Sequence, residues 1–163
     1  MNPLLEPPFI PCWSGPDPIR YWISPEMAQF RAEIQMAVLT FTRERMPDGR
    51  LLRLRFLEIG VYGLLRSIDF RLEPLVGLLG LGMYPPPLNA EPFAGDVTLN
   101  QDAFTRPEFR PLVLPTLIHE IAAHSLGLGH FWRRGSVRCP VIEEGRINLS
   151  PEDRQALITM YGV

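Results

Sequence analysis

The chain has 163 residues, enough for one domain with a sizeable core. Apolar residues make up 46% of it and charged residues 21%, which excludes both a disordered chain and a coiled coil. The formal net charge is −2 and no stretch is strongly basic, so we expect no nucleic-acid partner. All 16 basic residues are arginine, which leaves no lysine for Schiff-base chemistry.

The sequence contains no run of 18 apolar residues, so we expect no membrane partner. Nothing in the sequence indicates an oligomer, and we assume a monomer by default. The first residues lack a basic start and a continuous apolar stretch, and therefore do not resemble a signal peptide. We expect either a cytoplasmic protein or a chain that lacks its export signal. Two cysteines, Cys12 and Cys139, are too few for a disulfide framework, and the spacing leaves open whether they pair.

The predicted elements begin with a proline-rich irregular arm over residues 1–18, and residues 19–163 then predict one folded domain. Apolar and polar residues alternate at 52–59 and 68–72, which predicts two strands. A short aromatic and apolar segment predicts a first strand at 19–23, and residues 95–100 are a short strand candidate. Apolar residues at spacings of three and four predict one long helix from Pro25 to about Arg45, with Ser24 as its cap. The segment 75–87, rich in glycine and proline, predicts a loop leading to an edge.

Two further helices are predicted in the second half, after a proline-marked connection at 106–115. The first begins at Thr116 and is ended by Gly127 and Gly129. The second begins after Ser150, a strong N-cap, and runs to about Tyr161. This order of strands and helices predicts a layered structure in which both kinds of element share one core.

All three histidines of the chain fall in the segment HEIAAHSLGLGH, residues 119–130. This segment resembles HExxHxxGxxH, the zinc signature of the metzincin metallopeptidases. The resemblance implies one catalytic Zn²⁺ held by His119, His124 and His130, with a water in the fourth position. It also implies that Glu120 is the catalytic residue and takes a proton from that water as a general base.

The spacing of the first two histidines departs from the signature, because His119 and His124 are five residues apart instead of four. On a regular helix this separation places them roughly 140° apart, too far for one metal ion. In one interpretation a π-bulge absorbs the extra alanine and restores the site. In the other the helix stays regular, Glu120 takes the first ligand position, and no general base is left.

Three further stretches, 13–23, 79–100 and 149–162, resemble the matrixins, the metzincins similar to matrix metalloproteinases. The resemblance implies an α+β, metzincin-like fold, with a twisted mixed sheet of four to five strands, two long helices and a C-terminal helix after the zinc-binding turn. Leu81 and Thr98 stand where the family has histidines for a structural zinc, so we predict no structural zinc. The apolar floor beneath the zinc, a methionine in the family, falls on Arg138. A guanidinium there must either turn to solvent or find a partner, for which Glu143 and Glu144 are the candidates.

The segment Pro140-Val141-Ile142 resembles the wall of the family's substrate pocket and implies an apolar pocket. The resemblance further implies an edge strand near residues 97–100 that binds an extended peptide. We therefore predict a zinc-dependent endopeptidase whose partner is a peptide or protein substrate. The alternative is a pseudoenzyme of the same fold that binds peptides or another protein without cleaving them.

Overall fold

The computed structural model describes residue 13 and residues 17–62, 67–85 and 94–162. Cys12, most of the predicted arm and the last part of the predicted loop at 75–87 lie outside these residues. Within the described part of the chain, no helix is both long and apolar enough to cross a membrane.

The described residues contain one sheet of five strands, against which the helices pack. The strands are β1 (Ile19–Ile23), β2 (Phe56–Ile59), β3 (Ser67–Glu73), β4 (Gly80–Gly82) and β5 (Val97–Asn100). Their order in the sheet is β2-β1-β3-β5-β4. All neighbours are parallel except β4, which runs antiparallel to β5. The predicted mixed sheet of four to five strands is confirmed.

The helices follow the predicted order with different bounds. A 3₁₀ helix (Pro25–Phe30) leads into α1 (Arg31–Thr42), and a short helix α2 (Gln101–Phe104) follows β5. A second 3₁₀ helix (Pro107–Leu112) leads into α3 (Val113–His119), which continues without a break as a π-helix (Glu120–Ser125). The C-terminal helix is α4 (Pro151–Tyr161), and Ser150 caps it through a reciprocal pair of hydrogen bonds with Asp153.

Three predicted bounds are wrong for local reasons. The helix after Ser24 starts as a 3₁₀ helix, because Phe30 has φ −109° and ψ 12°, outside the helical region. The strand predicted from residue 52 begins at Phe56, although Leu52 and Leu54 are buried as the alternation implied. The helix predicted from Thr116 begins at Val113, because Pro115 lies in its first turn, where a proline costs no intrahelical hydrogen bond.

The core lies between one face of the sheet and the helices α1, α3 and α4. Its members are apolar side chains with almost no exposed surface, among them Phe30, Ile34, Phe41, Ile68, Phe70, Leu99, Leu117, Ile118 and Leu157. Helix α1 packs mainly on α3. The histidine segment is part of this core through Ile121, Ala122 and Leu126, which are fully buried.

Strand β4 was predicted as part of a loop, because Gly-Leu-Gly has no strand propensity. It pairs with β5 and lies directly on the π-helix. A Cβ at Gly82 would come within 2.5 Å of His124 Cβ and 2.8 Å of a Glu120 carboxylate oxygen. Only glycine allows this approach, so the missing side chain sets the distance between the sheet edge and the helix.

Replacement of Gly82 by alanine tests this packing. We expect Gly82→Ala to lower the free energy of unfolding by about 1–3 kcal/mol, because the new methyl group collides with the helix. Gly60→Ala is the matched control, since nothing lies within 4 Å of a Cβ at Gly60. Urea unfolding followed by circular dichroism measures both, and equal stabilities for the two variants would contradict the close packing of β4.

Candidate metal centre

The π-helix decides between the two interpretations of the histidine spacing. Its wide turn spans Glu120–Ser125, and the amide of Leu126 donates to the carbonyl of Ile121, five residues earlier, at 2.8 Å. A π-turn holds one residue more than an α-turn, so it absorbs the extra alanine. His119 and His124 thereby face the same way, and the ring centroids lie 5.8 Å apart.

The third histidine returns to the same place because the chain reverses at the end of the π-helix. Gly127 and Gly129 both have positive φ, 72° and 73°, which glycine adopts without strain. The amide of Gly129 donates to the carbonyl of Ala123 at 2.9 Å and closes the turn. As a result, one ring nitrogen from each of His119, His124 and His130 lies within 4.8 Å of the others.

The geometry of these nitrogens suits a tetrahedral metal ion. His119 Nδ1 is 2.9 Å from the carbonyl oxygen of Val137, which orients the ring and leaves Nε2 to face the other histidines. His124 Nε2 and His130 Nε2 are 3.1 Å apart. Two nitrogens bonded to one tetrahedral Zn²⁺ at about 2.0–2.1 Å are separated by roughly 3.3 Å, so the donor set fits zinc.

Burial keeps two of the ligands neutral. Desolvation lowers the pKa of His119 to about 4 and that of His124 to about 3, against an ordinary value of 6.5. The neighbouring histidines lower both pKa values further. Both imidazoles are therefore unprotonated at neutral pH, the form that coordinates a metal.

Glu120 lies beside the three histidines, beneath β4. One carboxylate oxygen is 3.6 Å from His124 Nε2. Desolvation raises the pKa of Glu120 to about 7, although a backbone hydrogen bond from Gly82 partly opposes this. Its Oε2 is buried without a hydrogen-bond partner among the described residues. A carboxyl group with a pKa near neutrality is suited to take up and release a proton.

Arg138 has a different partner from the two predicted for it. Its side chain is fully buried and its Nε donates to Asp153 Oδ1 at 3.1 Å. Glu143 instead pairs with two other arginines, Arg134 and Arg146. Asp153 lies at the start of α4, and nothing in its local sequence indicates that it reaches back to the histidine segment. The helix cap was visible in the sequence, whereas this long-range contact was not.

A cleft of about 360 Å³ opens beside the histidines and Glu120. Pro140 and Ile142 line it as predicted, whereas Val141 is 56% exposed and is not among the lining residues. Residues 77–81 also line the cleft, although the sequence did not indicate them as part of the site. They are all glycine or leucine.

The predicted edge strand near residues 97–100 is wrong in position. That segment is β5, which lies between β3 and β4, and the edge beside the cleft is β4. Leu81 on β4 is directly opposite Thr98 on β5. The two positions that carry structural-zinc ligands in the matrixins are thus neighbours here and carry neither imidazole nor carboxylate. The absence of a structural zinc stays a prediction.

Trp13 is a second residue that the sequence did not indicate as part of the site's support. Its indole Nε1 donates to the carbonyl of Ser125 at 2.6 Å, at the end of the π-helix. The Ser125 hydroxyl in turn donates to the carbonyl of Gly95 at 2.7 Å. Cys139 is buried and has no disulfide in the described residues, and the question of its pairing with Cys12 lies outside them.

Comparisons with known proteins agree with this architecture. No protein-family model matches the chain, and no curated protein matches it. Among solved structures it is similar to that of myroilysin, with 12% sequence identity and a TM-score of 0.59 over 93% of this chain and 96% of that one. At this identity the likeness concerns the fold, which is α+β and metzincin-like as the sequence resemblance implied. The narrower likeness to the matrixins stays a prediction.

Deletion of Ala122 tests whether the π-turn only absorbs an extra residue. The deletion restores the four-residue spacing, so we expect an ordinary α-helix and a zinc affinity within about tenfold of the parent chain. An extra alanine inserted after Ala122 is the opposite change and should abolish zinc binding. Titration against a chelating dye measures both. A deleted chain that no longer binds zinc would mean that the wide turn itself sets the ligand geometry.

Proposed function

We propose that this protein is a zinc-dependent endopeptidase. The observation that carries the proposal is the convergence of three imidazoles with one carboxylate in an open cleft. The carboxylate of Glu120 lies 3.6 Å from His124 Nε2, and all four side chains line the same cleft. Two further observations support the proposal. The fold is metzincin-like, and the histidine segment resembles the zinc signature of those peptidases.

His119, His124 and His130 are the residues that would hold the metal. When bound, a zinc ion supplies a Lewis acid that activates water and polarises a peptide carbonyl. The three histidines together provide the usual protein ligands of a catalytic zinc site and leave one position open. The bond from His119 Nδ1 to the Val137 carbonyl keeps that ring in the required orientation.

Glu120 moves the proton in the proposed reaction. Its unpartnered Oε2 accepts a proton from the attacking water, and the same carboxyl then delivers it to the leaving amine. In the metal-free chain burial raises the pKa of Glu120 to about 7, which suits a group that exchanges protons near neutral pH. Glycines are required at positions 80 and 82 of β4, because a side chain at either position would occupy the space of the Glu120 carboxylate.

The substrate in this proposal is an extended peptide. Among the described strands, β4 is the terminal one beside the cleft, and strand addition along its outer edge would bind an extended peptide. Pro140 and Ile142 also line the cleft and suit an apolar side chain of the substrate. Backbone pairing along β4 requires no particular sequence, so the choice of substrate depends on that apolar pocket.

Glu120→Gln separates the peptidase from its non-catalytic alternative. The amide cannot accept the proton of a water, so we expect turnover of a peptide mixture to fall by about 10²–10⁴-fold while one zinc per chain remains bound. Glu73→Gln, at an exposed position at the end of β3, is the control and should cleave like the parent chain. Mass spectrometry of the products and metal analysis read out both effects. A parent chain that binds zinc but cleaves nothing would support the non-catalytic alternative.

Ile142→Asn tests the apolar pocket. The polar side chain removes an apolar contact from the cleft, so kcat/KM for a substrate with an apolar side chain at this pocket should fall by about 10–200-fold. Val141→Asn is the matched control, because Val141 is next to Ile142 in the chain but is exposed and does not line the cleft. Equal losses in the two variants, measured with a fluorogenic peptide, would contradict the assignment of the pocket.

A further inference from the structure

Arg138 is the largest fully buried side chain of the described residues, and it contacts the segment that carries His130. A buried guanidinium must be compensated by opposite charge and hydrogen bonds. Its Nε donates to Asp153 Oδ1 at 3.1 Å, and its Nη1 donates to the carbonyl of Leu128 at 3.0 Å. The centre of the guanidinium also lies 4.9 Å from the ring centroid of Phe131.

Two of these partners flank the third histidine. Leu128 precedes His130 by two residues and Phe131 follows it directly. The backbone joins the same segment, because the amide of Phe131 donates to the carbonyl of Arg138 at 3.2 Å. Side chain and backbone of one residue thus hold the returning segment on both sides of His130.

Arg138 is linked to the first histidine through its neighbour in the chain. The amide of Val137 donates to Asp153 Oδ2 at 3.0 Å, and the carbonyl of Val137 is the partner of His119 Nδ1 at 2.9 Å. Asp153 therefore anchors both the guanidinium and the backbone that orients His119. Asp153 thus connects α4 to His119 through Val137, and to the segment of His130 through Arg138.

We infer that Arg138 is a positioning residue of the metal centre: its planar guanidinium, tied to Asp153, fixes the segment that carries His130. This inference rests on the proposed function only for its effect on zinc. The fork of an arginine can donate to Asp153 and to Leu128 at once, and its face packs on Phe131. A charged clamp here does the supporting work that the resemblance assigns to an apolar methionine.

Two variants and two measurements test the inference. Arg138→Met removes the clamp, and Arg138→Lys keeps the charge facing Asp153 but loses the planar fork. In the zinc-free chain we expect both to lose hydrogen-exchange protection at the Phe131 amide. In a chelator competition we expect both to raise the Kd for zinc by about 10–100-fold, as the loss of a supporting contact behind a ligand commonly does. Arg134→Met, at an arginine 90% exposed, is the control and should change neither quantity.

The variants also separate positioning from charge balance. If Arg138→Lys keeps both the Phe131 protection and the zinc Kd of the parent chain, a positive charge is sufficient and the inference is overturned. If Arg138→Met does not fold, the lysine variant decides the question alone. A parent chain that binds no zinc would contradict the proposed function, and the exchange at Phe131 would then decide the inference about Arg138 independently.

Discussion

Three imidazoles can hold one metal ion only if the helix that carries two of them brings both to the same face. The five-residue separation of His119 and His124 forbids this on a regular helix, and the π-turn over Glu120–Ser125 permits it. The remaining features of the site follow from that turn. Its end is held by Trp13 through the Ser125 carbonyl, and the chain then reverses at Gly127 so that His130 returns.

Arg138 and Asp153 add a buried ion pair to the apolar core that supports the histidine segment. Removal of one member of a buried ion pair costs about 3–5 kcal/mol, whereas the intact pair adds little net stability over apolar residues of similar volume. What the pair of Arg138 and Asp153 contributes is direction, because charge-assisted hydrogen bonds fix geometry that an apolar contact leaves loose. Asp153 receives hydrogen bonds from Ser136, Val137 and Arg138, so the whole turn is organised around one carboxylate.

Much of the site was predictable, because its residues are adjacent in sequence. The histidine segment predicted the metal ligands and the general base. Its extra alanine left two conformations open, a regular α-helix and a helix with a π-turn. The outcome between those shapes depends on packing against β4 and Trp13, which lie far away in the chain. The partner of Arg138 was mispredicted for a similar reason: the sequence offered the nearby Glu143 and Glu144, whereas Asp153 reaches it from α4. Strand β4 was missed because Gly80 and Gly82 were read as loop residues, although close packing on the helix is what requires them.

A crystal structure with anomalous data collected on both sides of the zinc absorption edge tests the central claim most directly. We expect one peak bonded to Nε2 of His119, His124 and His130, with the π-turn intact and the carboxylate of Glu120 beside the open position. A peak bonded to Glu120, His124 and His130 would contradict it, because the carboxylate would then be a ligand and no base would remain. The absence of any peak in zinc-soaked crystals would contradict the metal centre itself.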